Sequence, residues 1–518
     1  MSPCCFCVLL NNLLCRTEPL DNILSFLITI GAPALAAYSL QVTHLNTCWA
    51  TTAFKNINHP NSRDIATVLS AFHNVPIRIS TQPPFLHSPV VLHKNDKYWR
   101  RLLVAAKKTR RSSIPVGVSF ALAIFATILT ILDSVHSPRP GDIGYAIAAA
   151  WAFLLPLVIG WLYVGSEPET NHLRDSLHAA NRKALAAARR GGQPMKSTLA
   201  IEFTIAEEVG SARKDELKTA PVFNYSRAFT SPLTAELVLG LMKNAPANAE
   251  REVPVGNLWE EGGGDARSDE HQIETGAEVT EYSARVLPQP MTDPTPTTPP
   301  DTQSPETTGN AIPLLSLYDP PIVTQNPSRW ATGVWKRVGI SAVLALGLQW
   351  GTTGAAVLIH YVAPPAGLGC RALSFLLYGV AGTISFLLFL VSSILAHMSR
   401  PHQRQEGVRP PVRTRQNDGA IICRRLGKGI AIISAVGVLL VCFFQISGGF
   451  NNCFCTSTTF DKGSGSVVFL TINYVIGAST LRIWIGGLAM AFSTALLFGF
   501  LMCLATLLRR YLFTSPVP

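Results

Sequence analysis

The stretch ALSFLLYGVAGTISFLLFLVSSILAH, residues 372–397, decides the fold class. It runs 26 residues without a Lys, Arg, Asp or Glu. As an α-helix it would rise about 39 Å, more than the roughly 30 Å of hydrocarbon in a bilayer. Within lipid the backbone can be satisfied only in helices and closed barrels, and this Leu- and Phe-rich run has no period-2 alternation. It reads as a transmembrane helix.

Working outward, the same criterion finds 429–447 and 483–508 downstream and 338–362 upstream. Further back lie 143–165, 114–132 and 23–45, the last interrupted by Pro33 and diluted by Ser25, Thr29, Ser39 and Gln41. Pro33 and Pro156 do not veto their helices, because neighbouring helices can cover a freed carbonyl. The apolar stretch 466–477 is short and β-branched, and reads as an ordered extracytosolic loop or a re-entrant piece. The expected architecture is all-α: a polytopic transmembrane bundle of about seven spans with a long, partly disordered cytosolic loop. By segment it comprises an extracytosolic tail (1–22), a three-span part (23–165) holding a basic loop (46–113), a cytosolic loop (166–336), a four-span part (337–510) and a C-terminal tail (511–518).

Composition agrees. Charged residues make up 14% of the 518, and the formal charge is +11. A disordered or nucleic-acid-binding basic protein would carry far more charge. The excess positive charge is instead distributed by loop. Residues 46–113 hold eleven basic and two acidic residues, and 398–428 hold eight and two. The intervening segments 1–22, 133–142, 363–371 and 448–482 hold five of each. The positive-inside rule then predicts an outer N-terminus and a cytosolic C-terminus, with no nucleic-acid partner. The first fifteen residues lack the basic start of a signal peptide.

The connection between the third and fourth expected spans has two characters. Residues 170–190 are Ala- and Leu-rich and read as a helix stopped by Gly191, Gly192 and Pro194. Residues 199–242 read as a few short elements packed on the membrane face. From 246 to 327, Pro, Thr, Glu, Asp and Gly dominate, and such a chain cannot bury enough apolar surface to offset the entropy of ordering. Thr295, Thr298 and Ser304 precede prolines and suit proline-directed kinases or a plain solvated linker. The sequon Asn224-Tyr225-Ser226 lies in the same connection, so glycosylation there would overturn the orientation.

Loop 46–113 ends in KNDKYWRRLLVAAKKTRR, residues 94–111. Arg100, Arg101, Lys107, Lys108, Arg110 and Arg111 flank an apolar core, and Tyr98 and Trp99 suit headgroup level. This is either a topological anchor or a contact with anionic lipid headgroups, each basic residue then contributing about 1 kcal/mol.

No catalytic, metal or cofactor pattern is present: no His-Glu-x-x-His, Gly-x-Ser-x-Gly, phosphate loop or dinucleotide fingerprint. The spans carry no ionisable residue of the kind that marks ion and proton pathways. His44, His360 and His397 lie only at their boundaries. Small residues are visible instead. Gly347, Gly351 and Gly354 in the fourth span let another helix approach closely, and Gln349 and Gln445 can hydrogen-bond across helices. Of the cysteines, Cys370, Cys453 and Cys455 fall on the expected outer face, where disulfides persist. The expected bridge joins Cys370 to Cys453 or Cys455. Cys48 and Cys423 are juxtamembrane and candidates for palmitoylation.

Several stretches together resemble a group of uncharacterised multi-pass membrane proteins of filamentous fungi: 21–40, 111–134, LLPLVIGWL at 154–162, LQWGTTGAA at 348–356, PPAGLGCRALSFLLYG at 364–379 and NNCFC at 451–455. The resemblance covers most hydrophobic parts and little of 246–327. It implies a shared membrane architecture and carries no activity, ligand or functional residue.

The leading expectation is a non-enzymatic membrane scaffold or sensor without cofactors. Its partners would be the bilayer, anionic lipids among them, and cytosolic proteins meeting 166–336. The alternatives are an uncharged-solute channel or facilitator lined by Gln349, Thr352, Thr353 and Gln445, and a seven-span receptor.

Overall fold

The computed structural model describes residues 19–57, 61–71, 73, 77–79, 96–108, 143–164, 175–180, 203–205, 211–218, 220–249, 329–363, 367–399, 415–450, 452, 454–455, 459–460 and 478–514. In chain order the helices are α1 (Pro19–Gly31), α2 (Pro33–Lys55), α3 (Ser62–Ala71), α4 (Asp96–Lys108), α5 (Ile143–Trp151) and α6 (Leu154–Val164). Two 3-10 helices (Ser211–Leu217 and Pro221–Arg227) and α7 (Thr230–Ala249) follow. The last four helices are α8 (Val334–Val362), α9 (Cys370–Met398), α10 (Arg415–Ile446) and α11 (Ala478–Thr514). One antiparallel ladder pairs Ile77, Arg78 and Ile79 with Ile205, Thr204 and Phe203.

Among the described residues, five segments are long and apolar enough to cross a membrane: Gly144–Trp161 across α5 and α6, α8, α9, α10, and Arg482–Leu507 within α11. Six result if the bent pair α1–α2 counts as one. The described residues thus hold five or six of the seven expected spans. The segment expected at 114–132 lies outside the described residues, as do 250–327, 466–477 and the tail 1–18, while 246–249, expected in the disordered part, end α7. The segment expected at 23–45 is no straight helix: α1 and α2 meet at 103°. Hydropathy reports that such a segment is apolar but not that it turns.

The outward faces of α8 to α11 carry exposed large apolar side chains, among them Val343, Leu377, Ile433, Phe443, Leu496 and Phe500. That is the pattern of helices solvated by lipid. Their inward faces are held by small residues and hydroxyls. The Ser385 hydroxyl donates to the Gly427 carbonyl at 2.9 Å, and the Ser392 hydroxyl to that of Ala420 at 2.7 Å. These bonds fix α9 against α10 at close range. Helix α8 starts at Gly333, whose φ of 65° is the left-handed conformation that a side chain would disfavour. Helix α10 runs on past the expected start at 429 back to Arg415, with Arg424 and Lys428 on its inner end.

A second core is soluble in character. The C-terminal half of α2 (Ala50, Phe54) packs with α3 (Ile65, Val68), α4, α7 (Val238, Met242) and Leu177. Within it Tyr98 and Trp99 are fully buried, edge to face with centroids 5.3 Å apart. The sequence placed these two rings at headgroup level. They are core residues because α4 turns its apolar stripe onto α3 rather than onto lipid, leaving Arg100 and Arg101 exposed on its other face.

Candidate functional site

The junction of α1 and α2 is built around residues 30–34. Pro33 has no N–H and occupies the first turn of α2, where prolines are tolerated. A helix that stops and restarts leaves backbone donors and acceptors without partners. Here neighbouring helices supply them. The Ala34 N–H donates to Gln349 Oε1 of α8 at 3.1 Å, and Tyr378 Oη of α9 donates to the Ile30 carbonyl at 2.6 Å. Gln349 Nε2 in turn donates to the Gly379 carbonyl at 2.7 Å and to Thr383 Oγ1 at 3.0 Å. Gly31 lets the turn sit against α10: a Cβ there would lie 1.8 Å from the Ala431 carbonyl oxygen.

Both ends of this bent pair meet one short stretch, residues 215–228. On the α1 side, Asp21 forms an ion pair with Lys218. On the α2 side, Ser39 Oγ donates to the Val222 carbonyl at 2.8 Å. Asn224 Nδ2 donates to Thr43 Oγ1 at 3.1 Å, and Asn46 Nδ2 to the Ala228 carbonyl at 3.2 Å. Asp21 and Asn46 were expected on opposite sides of the bilayer. Both instead meet the 215–228 stretch, and the pair bends by 103° where Ala34 meets Gln349.

The stretch that receives the bent pair is a buried polar network. Asp215 accepts from Lys428 Nζ of α10 at 2.5 Å and from Tyr225 Oη at 2.6 Å. Burial, with the Asp215 carboxylate beside it, holds the Tyr225 phenol well above its ordinary pKa. Arg227 is fully enclosed. Its guanidinium donates to the carbonyls of His73 (3.1 Å), Glu216 (2.6 Å) and Lys218 (2.8 Å) and to Asn224 Oδ1 (2.6 Å). Burial lowers its pKa to about 10, opposed by Glu216 and Asp215. The His73 imidazole is lowered to about 3, first by burial and then by Arg227. The ammonium groups of Lys218 and Lys428 each lie over the Phe223 ring, 5.3 and 5.5 Å from its centroid. Arg337, at the start of α8, closes the set by donating to Asn46 Oδ1 at 2.8 Å and stacking 4.5 Å over Trp49.

The sequence missed this network. Its charged members, Asp21, those between Asp215 and Arg227, Arg337 and Lys428, lie in four segments far apart in the chain, and only the fold brings them together. The sequon offered one signal, the polarity of Asn224. Its amide is buried with both ends bonded, which leaves no room for a glycan in this fold.

The expected site residues are placed as follows. Cys370 and Cys455 form a disulfide, while Cys453 lies outside the described residues. Arg100 and Arg101 are exposed on α4, Lys107 and Lys108 belong to its last turn, and Arg110 and Arg111 lie outside the described residues. Of the small-residue set, Gly351 is the packed one, since a Cβ there would meet Thr494 of α11 at 2.5 Å. Gly347 faces open space, and Gly354 has only Trp350 of its own helix nearby. Of the facilitator set, Gln349 is committed to the bent pair, and Thr352 Oγ1 to the Leu348 carbonyl at 2.9 Å. Among the described residues no group of three His, Cys, Asp or Glu side chains is close enough to hold a metal ion.

Comparisons with protein-family models, curated proteins and solved structures find no match.

Proposed function

We propose that this chain is a non-enzymatic multi-pass membrane protein, a scaffold or sensor whose working surface is the inner-end assembly of α3, α4, the two 3-10 helices and α7. The observation that carries this reading is the direct coupling of bundle and assembly. Lys428 of a spanning helix, Asp21 and Asn46 of the bent pair, and Asp215, Lys218 and Ala228 of the assembly belong to one bonded set. A tilt of α10 or a shift of the bent pair within lipid must therefore move the assembly.

The topology that fits is a bent pair α1–α2 that turns back within the membrane, with Asp21 and Asn46 both on the basic, cytosolic side. In that topology Asp21 lies on the side opposite to the one expected for it. The facilitator reading loses Gln349 and Thr352 as lining residues, because their polar atoms hold backbone groups.

The test is hydrogen–deuterium exchange of residues 211–249 in the full chain, reconstituted in vesicles of differing acyl length and anionic lipid content. A sensor predicts that amide protection in 211–249 changes with the lipid. Protection that stays constant across all lipids rejects sensing, while measurable solute flux through the same vesicles would favour a facilitator.

A further inference from the structure

Trp49 of α2 lies level with the start of a spanning helix: the Arg337 guanidinium, in the first turn of α8, stacks 4.5 Å over its ring. Ala50 and Phe54, one and five residues further along α2, share one buried core with Tyr98, Trp99 and Leu102 of α4. At 1.5 Å per residue, α2 reaches that core no more than about 8 Å beyond Trp49. The headgroup layer outside the hydrocarbon is itself about 5–8 Å deep on each side. The far end of α4 is tethered as well. Lys108 ends the helix, and the apolar run 114–132 begins six residues on, a reach of at most about 22 Å. Both ends of α4 are thus kept close to the membrane surface.

At that depth α4 gives its apolar stripe to protein and keeps a basic one. Arg100 and Arg101 are exposed, and Val104 is 59% exposed. Spacings of three and four residues put Arg100 and Arg101 one turn before Val104, and Lys107 and Lys108 one turn after it, on a single helix face. Val104 is an exception in its surroundings. Among the described residues of α3, α4, the two 3-10 helices and α7, no other large apolar side chain is exposed. Cations around one exposed apolar side chain are the pattern of a face that sets its charges on headgroup phosphates and its apolar centre just below them. The charges alone would also suit an acidic protein. The apolar centre, held at headgroup depth, favours the bilayer.

We infer that α4 is a docking helix for anionic lipid. Arg100, Arg101, Lys107 and Lys108 meet the anionic headgroups of the adjoining leaflet, and Val104 enters the interface between them. Tyr98 and Trp99 are taken by the core, so the lipid contact falls to the other face of the helix. The inference rests on the scaffold-or-sensor reading for the place of the assembly at the membrane, and adds the class of ligand that the assembly meets there.

The test uses the full chain in phosphatidylcholine vesicles doped with a photoactivatable phosphatidylserine or, in parallel, a photoactivatable phosphatidylcholine, with label mapped by peptide mass spectrometry. The expected result is label on 96–108 that is at least tenfold greater from the phosphatidylserine probe. That preference should fall in 0.5 M salt, where the screening length drops to about 4 Å. Arg100→Gln and Lys107→Gln should each cut it by about fivefold, the worth of one basic residue beside an anionic leaflet, without changing the yield of folded protein. Should either fail to fold, Lys108→Gln carries the comparison. Equal labelling by the two probes, a preference unmoved by salt or by the substitutions, or no label on 96–108 would overturn the inference. In the last case the face meets water or an acidic protein. Sensing is read separately, by exchange in 211–249. Lipid-independent exchange there with the labelling intact would end the sensor reading and leave the docking helix, and the converse result would do the reverse.

Discussion

Gln349 caps a helix that begins 315 residues earlier in the chain: its Oε1 accepts the backbone N–H of Ala34 at 3.1 Å. The same side chain holds the Gly379 carbonyl and the Thr383 hydroxyl, so one amide joins the bent pair, α8 and α9. Replacement by Leu leaves the Ala34 N–H in a lipid-level core without a partner. Gln349→Leu should destabilise the protein by about 1–3 kcal/mol, read as a lower melting temperature in detergent. Thr352→Val, which removes a hydroxyl bonded only within its own helix, should change it little.

Gly31 and Gly347 give opposite expectations for one chemical change. A Cβ at Gly31 would meet the Ala431 carbonyl oxygen at 1.8 Å, and backbone cannot swing aside. A Cβ at Gly347 meets nothing within 4 Å. Gly31→Ala should cost about 1–3 kcal/mol or more from overpacking. Gly347→Ala should be neutral or slightly stabilising. Monodispersity and melting temperature of the two variants check the contrast.

The Asp215–Lys428 pair should behave as a unit. Removing one partner leaves an enclosed charge uncompensated, which typically costs about 3–5 kcal/mol, whereas removing both is far milder. Asp215→Asn and Lys428→Met should each destabilise strongly, and the double variant should recover much of the loss. A double-mutant cycle on chemical unfolding measures the coupling. Additive effects would show that the pair does not join the assembly to α10.

Protonation of His73 supplies a pH dependence with a definite sign. Its pKa is lowered from 6.5 to about 3 in the folded protein. The folded state therefore holds the imidazole neutral, and its contribution is fully present above pH 6.5. Stability is lost as pH falls from 6.5 toward 3, by about 2 kcal/mol at pH 5. Amide exchange in 220–228 should accelerate between pH 7.5 and 5 beyond the intrinsic pH effect. His73→Asn should flatten that change.

Much of this architecture was legible in the sequence, and what failed did so for identifiable reasons. The spans at 338–362, 372–397 and 429–447 were readable because hydropathy measures transfer to lipid, and these helices are transferred whole. The Cys370 bridge was readable from compartment, although spacing left its partner open between Cys453 and Cys455. The 103° bend within 23–45 was not legible, because apolar content is blind to direction. The only sign of a reversal was Pro33, and Pro33 alone fits a kinked span equally well. Tyr98 and Trp99 misled because an amphipathic helix presents the same stripe to a bilayer and to another helix. The Asp215–Lys428 contact, spanning 213 residues, has no local signature at all.

The proposed re-entrant reading of the bent pair α1–α2 is the centre of this account, because it puts Asp21 and Asn46 on one side of the bilayer, where both meet the 215–228 stretch. Protease protection of sealed, uniformly oriented membranes, with epitope tags ahead of Met1, within 288–309 and after Pro518, tests it directly. The re-entrant reading predicts that all three tags are cleaved from the same side. Protection of the Met1 tag under conditions where the other two are removed would mean that 23–45 crosses the bilayer, and would contradict it.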